Sequence, residues 1–162
     1  MPTSPVHPVT TPFDRERLED IGFMTSMTLI MLGNYAQTGH FGGPLAYTPF
    51  NVAAHLIGPK LGGLRYDYRN PKHPWADKFL LAGGHCAPTC YALWIIQGEA
   101  MARRHSATGD KRYAVDPHKA FLSVDALGFR RGAGAMGFST SCGTLAKRMR
   151  RGITRCTQPT RM

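Results

Sequence analysis

The sequence predicts an α/β fold, with helices around a short parallel sheet and a disordered basic tail. Three observations carry this expectation. The chain alternates helix-like and strand-like segments in the order helix, loop, strand, helix. The apolar run "KFLLAG" at 78–83 has the length of a buried strand, flanked by a polar loop and a Gly-Gly turn. Gly and Pro are frequent, at 18 and 12 of 162 residues, so turns interrupt the elements often. That length sets one domain as the default and suffices to bury a real core.

The elements follow in order. Residues 1–11, rich in Pro and Thr, read as a disordered lead-in. Thr11 is placed to cap a first helix and Pro12 to occupy its first position, where a missing N–H costs nothing. Asp14 and Glu16 suit the positive end of that helix. Leu18, Ile21, Met24, Thr28 and Met31 recur near helical spacing, with the end expected between Gly33 and Thr38. A second helix is expected from Pro44 to Ile57, with Pro49 near its start and Gly58-Pro59 as its stop. An irregular polar loop leads to the strand at 78–83. A helix then runs from Pro88 to Gly98 and through Met101. "RRHSATGDKRYAVDPHK" reads as a second polar loop, and "AFLSVDALGFRR" as a short helix.

Charge and composition narrow the function classes. The formal net charge is +10, which suits an anionic ligand or nucleic acid. Six basic residues and no acidic ones lie between Phe138 and Met162, so the remainder carries only +4. A small basic nucleic-acid-binding protein is therefore the alternative from a different class. The tail lacks the aromatic interleaving of a stacking platform, which weighs against it. The four cysteines, at 86, 90, 142 and 156, are spaced Cys-x3-Cys and Cys-x13-Cys. "MPTSPVHPVT" has no basic and apolar leader pattern, so reduced thiols and a cytoplasmic location are expected. The longest apolar run, 21–32, is short for a membrane span.

Two histidine turns hold the chemistry. Gly39-His40-Phe41-Gly42-Gly43 follows the first helix, and a histidine there can donate to or accept from a ligand; a backbone-satisfied turn histidine is the competing reading. Gly83-Gly84-His85 lies between the expected strand and a helix start. Such turns capture anions through backbone N–H groups and the helix dipole, with His85 as a directed donor. Cys86 and Cys90 share a helix face with His85 beside them. A structural zinc needs four ligands, and no second pair has suitable spacing, so the two thiols read as small packing groups. "GAGAMG" at 132–137 matches Gly-x-Gly-x-x-Gly, but no acidic residue follows it to meet a ribose.

Together these segments resemble the start of transketolase, a thiamine-diphosphate enzyme. "TGHFGGPLAYTPFNVAAHL" is similar to the family's Ser/Thr-Gly-His segment with its following helix. "LRYDYRNPKHPWADKFLLAGGHCAPTCYALWIIQG" resembles its Asn-Pro…Trp…Asp linker, then its Gly-His turn, then Tyr-Ala-Leu. Order and spacing agree over about 110 residues, from Leu18 to Phe129. The resemblance implies a partial thiamine-diphosphate-binding fold over 12–136. It implies that His40 meets substrate oxygens, and that His85 and Gly84 bind the cofactor's diphosphate. It implies transfer of a two-carbon ketol unit between sugar phosphates, with thiamine diphosphate and Mg2+ or Ca2+, in a homodimer. A related synthase or dehydrogenase component is the alternative within the class.

The departures are equally specific. The family's Ser before Gly-His is replaced in Ala82-Gly83-Gly84. No Gly-His-Pro-Glu segment follows; Asp116-Pro117-His118-Lys119 stands in that region. The Gly-Asp-Gly…Asn motif that holds metal and diphosphate is absent, as is the domain carrying the glutamate that activates the cofactor. Residues 137–162 have no resemblance to the family. The expectation is an amino-terminal fragment, truncated or frame-shifted from about residue 137, inactive alone.

Overall fold

Asp14 sets where the first helix begins. Its backbone is extended, with φ −127° and ψ 107°, and its carboxylate accepts from the Arg17 N–H at 3.2 Å. That satisfies one of the donors a helix start leaves unpaired. Helix α1 runs Arg15–Ala36 in the computed structural model, which describes residues 14–37, 39–68, 73–116, 121–126 and 129. The cap expected at Thr11 and the start at Pro12 lie outside those residues; the described helix begins with Asp14 as its cap. Gln37, left-handed at φ 52°, ends it within the expected range.

Helix α2 spans Gly42–Leu56 and stops before Gly58, whose φ is 74°. Pro49 lies inside it, not near its start. It is on the exposed side, so water can reach the Leu45 carbonyl that loses its helical donor. Helix α3 spans Ala87–Thr108, seven residues beyond the expected end at Met101, and closes at left-handed Gly109. The polar run after Met101 was expected as loop, yet it contains no breaker before Gly109. Arg103, Arg104 and Ser106 are a helix's exposed side, not a loop's. Helix α4, Ser123–Ala126, falls where the last short helix is expected.

The α/β expectation fails. Among the described residues there is no strand and no parallel sheet. Residues 78–82 have no regular structure; Phe79 and Leu81 are half-buried against the core, while Leu80 is 69% exposed. The run has a strand's alternation, but a strand also requires a neighbour to complete its ladder, and none lies beside it among the described residues. It is a strap laid over helices.

Helices α1, α2 and α3 pack on one another. Leu32 of α1 meets Cys90, Tyr91, Trp94 and Ile95 of α3, with Phe121 and Phe129 closing the cluster. Tyr91 stacks on Phe121 at 5.6 Å. Each such side chain contributes roughly 1.5–3 kcal/mol by leaving water. Gly98 permits the last segment to approach: a Cβ there would lie 2.7 Å from the Phe121 carbonyl and 2.8 Å from the Tyr68 hydroxyl. That hydroxyl accepts from the Phe121 N–H at 2.6 Å and donates to its carbonyl at 2.9 Å. No helix among the described residues is long and apolar enough to cross a membrane.

Candidate functional site

The two histidine turns meet. Gly83, Gly84 and His85 lead through a 3-10 turn, Gly84–Cys86, into α3. Its Cys86 N–H donates to the Gly83 carbonyl at 2.8 Å. The other turn, from Gly39, enters α2 at Gly42. A Cβ built on Gly43 would sit 3.0 Å from His85 Nε2 and 3.1 Å from Cys86 Sγ. The His85 ring therefore lies directly against the backbone at the start of α2, 42 residues away in sequence and three residues past His40. His40 and His85 are both exposed, and Cys86 is half-buried. No side chain caps α2 at Phe41 or α3 at Cys86. The α3 start is closed by backbone, with the Cys86 and Ala87 N–H groups donating to the Gly83 and Gly84 carbonyls, while the α2 start at Gly42, an end that favours anions, has no side-chain cap.

A buried polar seam sets this contact. Thr48, Asn51 and His55 occupy one face of α2, at spacings of three and four. Thr48 Oγ1 bonds the Pro44 carbonyl at 2.9 Å and faces Thr89 Oγ1 of α3 at 3.1 Å. Asn51 Nδ2 donates to the Thr89 carbonyl at 3.4 Å, and the Cys90 thiol donates to Asn51 Oδ1 at 3.6 Å. His55 Nδ1 lies 2.8 Å from the Asn51 carbonyl. These bonds fix one rotation and register of α2 on α3 and so hold Gly43 at His85. The sequence reading weighed the apolar side of α2 and missed these three residues. Their signal was present as polar residues at 48, 51 and 55, spaced like a core stripe.

His55 closes the far end of the seam. Burial pushes its imidazole pKa below the ordinary value, against the opposing effect of the Asn51 carbonyl. Its Nε2 is buried with no hydrogen-bond partner. Tyr66 and Phe79 stand edge-on to the ring at 5.1 and 4.8 Å. The strap carrying Phe79 is clasped in turn by Arg65 and Asp77. The Arg65 guanidinium donates to Asp77 Oδ1 at 2.8 Å from Nη2, and backbone bonds close the pair. The Arg65 side chain first, then its backbone N–H, holds the Asp77 carboxyl below its ordinary range.

The remaining expected features separate. Cys86 and Cys90 are not joined in a disulfide, and the Cys90 thiol donates to Asn51. Among the described residues no three His, Cys, Asp or Glu side chains gather as a metal site. "GAGAMG", Cys142, Cys156 and the basic tail lie outside the described residues, as do the Pro71 and Lys72 of the linker.

Comparison with known proteins gives partial matches. A stretch of 35 residues is 46% identical to transketolase-like protein 2 of Mus musculus, covering 22% of this chain and 6% of that one. A stretch of 87 residues is 30% identical to transketolase-like protein 2 of Homo sapiens, covering 49% of this chain and 13% of that one. The chain therefore matches only a small fraction of its relatives' length. No family profile matches it. No solved structure matches it. The similarity supports a transketolase-related origin over these stretches.

Proposed function

We propose that this chain forms part of a transketolase-like site, in which the paired histidine turns receive thiamine diphosphate and a sugar phosphate. The observation that carries the reading is the seat of His85 against Gly43. It brings both turns of the resemblance to one edge, where two helix starts lack side-chain caps. A diphosphate suits this edge: exposed His85 offers a directed hydrogen bond beside Gly84, and the positive end of the α2 dipole at Gly42 favours its charge. In this reading His40, on the neighbouring turn, orients a substrate hydroxyl or carbonyl. Bound thiamine diphosphate supplies the stabilised carbanion needed to move a two-carbon ketol unit. The chain's own residues bind and orient; among the described residues no three His, Cys, Asp or Glu side chains gather to hold Mg2+ or Ca2+ by themselves. The homodimer implied by the resemblance belongs to the same proposal.

Calorimetry with thiamine diphosphate and magnesium tests it. The expected result is weak binding, with a Kd on the order of 1 mM or above, because few directed contacts are on hand at this edge. His85→Ala abolishes that binding and His73→Ala, on the other loop, preserves it. Unmodified thiamine, which has no diphosphate, gives no signal. Binding that is indifferent to His85→Ala, or equal for thiamine, would overturn the reading. So would no heat from the parent chain at millimolar ligand.

A further inference from the structure

Arg-Arg occurs three times in the chain, starting at 103, 130 and 150, and only the first pair has a hydroxyl residue two positions past it. That segment is Arg103-Arg104-His105-Ser106, in the last turns of α3. Arg103, Arg104 and Ser106 are all exposed. Nearby hydroxyls are engaged. Thr108 Oγ1 donates to the Arg104 carbonyl at 2.7 Å and accepts from the Asp110 N–H at 3.2 Å. Ser123 Oγ donates to Glu99 at 2.6 Å. No such bond holds the Ser106 hydroxyl among the described residues.

We infer that Ser106 is a phosphorylation site for a protein kinase whose substrate groove is acidic where Arg103 and Arg104 lie, and that the phosphate opens the end of α3. Two arginines just before an acceptor hydroxyl suit such a groove, because guanidinium groups pair with carboxylates through two parallel hydrogen bonds. The step needs only the kinase and ATP. Ser106 Oγ attacks the γ-phosphorus and its proton passes to the kinase's catalytic carboxylate. The bond from that phosphorus to the β–γ bridging oxygen breaks and ADP leaves.

A kinase groove takes an extended segment, so the end of α3 has to open, and its packing permits that. Every buried residue of α3 lies between Ala87 and Gly98. The residues from Glu99 to Thr108 are half-buried or exposed. The last turn is closed by the Gly109 N–H on the His105 carbonyl at 2.8 Å. A segment with few buried apolar contacts opens locally at a small fraction of the cost of global unfolding. The trunk of α3, with Cys90, Tyr91 and Trp94 in the core, stays in place meanwhile.

Once modified, the serine is unsuited to its place in the helix. A phosphoserine carries a charge of about −2. Ser106 lies three residues before the closing Gly109, at the negative end of the helix dipole, with Asp110 just beyond. Arg103, one turn back, offsets only part of that repulsion. The same turns carry Arg104, whose guanidinium lies over the Tyr113 ring at 4.7 Å and fastens the turn Lys111–Tyr113 to α3. Opening loosens that seat as well. The inference needs neither cofactor nor the histidine turns, so its failure and that of the proposed function are separable.

Incubation of the full folded chain with ATP, magnesium and cyclic-AMP-dependent protein kinase, whose groove is acidic in this way, is the test. Mass spectrometry is expected to place phosphate on Ser106. Arg103→Ala and Arg104→Ala should each lower kcat/KM for that site at least about 10-fold, since each removes charge-assisted hydrogen bonds. Lys111→Ala removes the same charge outside the segment and should leave the rate nearly unchanged. Circular dichroism confirms that each variant is folded, as exposed positions allow. In the phosphorylated chain, hydrogen exchange of the Gly109 N–H should quicken about 5-fold while that of Leu93 stays the same. No phosphate on Ser106, phosphate confined to residues 138–162, or equal losses for Lys111→Ala and the two arginine variants would overturn the proposal. So would a Gly109 exchange rate that phosphorylation leaves unchanged.

Discussion

The contact between α2 and α3 and the outward face of α1 are built in opposite ways. The first is buried and polar. Thr48, Asn51, His55 and Thr89 are almost fully enclosed; Thr48 and Asn51 bond across to Thr89 of α3, and His55 bonds back to the Asn51 carbonyl within α2. The second is exposed and apolar: Phe23, Met24, Met27, Ile30 and Met31 are each between 42% and 68% exposed. A purely apolar contact tolerates rotation and sliding, because hydrophobic attraction has no direction. Hydrogen bonds in a low-dielectric interior are costly to leave unmade, so a polar seam accepts only one arrangement. That arrangement puts the Gly43 backbone at His85. The specific bonds therefore stand behind the candidate site, and the unspecific surface lies outside it.

Breaking the seam should have the largest effect on stability. Thr48 donates its proton to the Pro44 carbonyl, which makes Thr89 the donor to Thr48. Thr48→Val leaves the Thr89 proton buried without a partner and should cost about 1–3 kcal/mol in urea unfolding. Adding Thr89→Val should recover a large part of that, because both polar partners are then replaced by groups of the same shape. Equal or additive losses in the double variant would show that the pair is not coupled.

His55 should make the seam sensitive to acid. Its folded pKa is depressed by burial. The unfolded chain therefore takes up a proton first, and stability falls as pH drops below the unfolded value of about 6.5. Each pH unit over which only the unfolded chain holds that proton costs about 1.4 kcal/mol, so stability should fall progressively as pH drops below about 6.5. Asp77, Glu99 and Asp110 have depressed carboxyl pKa values, and their losses come at lower pH. His55→Phe should flatten the profile between pH 5 and 6.5 and leave the lower limb in place. An unchanged slope in that window would show that His55 is not the group responsible.

How much of this was legible depends on the range of the interaction. The end of α1, the stop at Gly58 and the start of α3 after Gly-Gly-His follow from local rules about capping and breakers, and the structure places them close to expectation. The strand at 78–83 failed because its alternation is local but its pairing is not. The last seven residues of α3 have the composition of a loop because Arg103, Arg104 and Ser106 are polar; their helix continues the buried side of α3 and is closed by Gly109. The seam was hidden for another reason. Thr, Asn and His serve equally on surfaces and in buried networks, and only the packing of α3 on α2 decides. The 42-residue separation of Gly43 and His85 made their contact unreadable from either motif.

A smaller effect should sharpen the link between seam and site. Gly43→Ala puts a methyl 3.0 Å from His85 Nε2 and 3.1 Å from Cys86 Sγ. Both are side-chain atoms, and exposed His85 can swing away, so the stability change should stay within about 1 kcal/mol. Ligand binding should respond more than folding does. Calorimetry should show the diphosphate signal lost in Gly43→Ala with the urea midpoint nearly unchanged. Full retention of binding would mean that His85 does not act from its seat on α2.

Met27→Glu should have the smallest effect on the fold itself, and that is its value. In the monomer its side chain faces water, so a carboxylate there leaves no buried group unpaired and opens no cavity. Surface changes of this kind stay within about 0.5 kcal/mol. The measurement is urea unfolding at low concentration, where association contributes nothing. A near-zero change there would show that the outward side of α1, with Met27 at 42% exposure, carries little of the fold's stability. A loss of 2 kcal/mol or more would mean that Met27 is enclosed within one chain after all. The outward stripe would then be core, with α1 packed by a segment outside the described residues, and the contrast between seam and surface would dissolve.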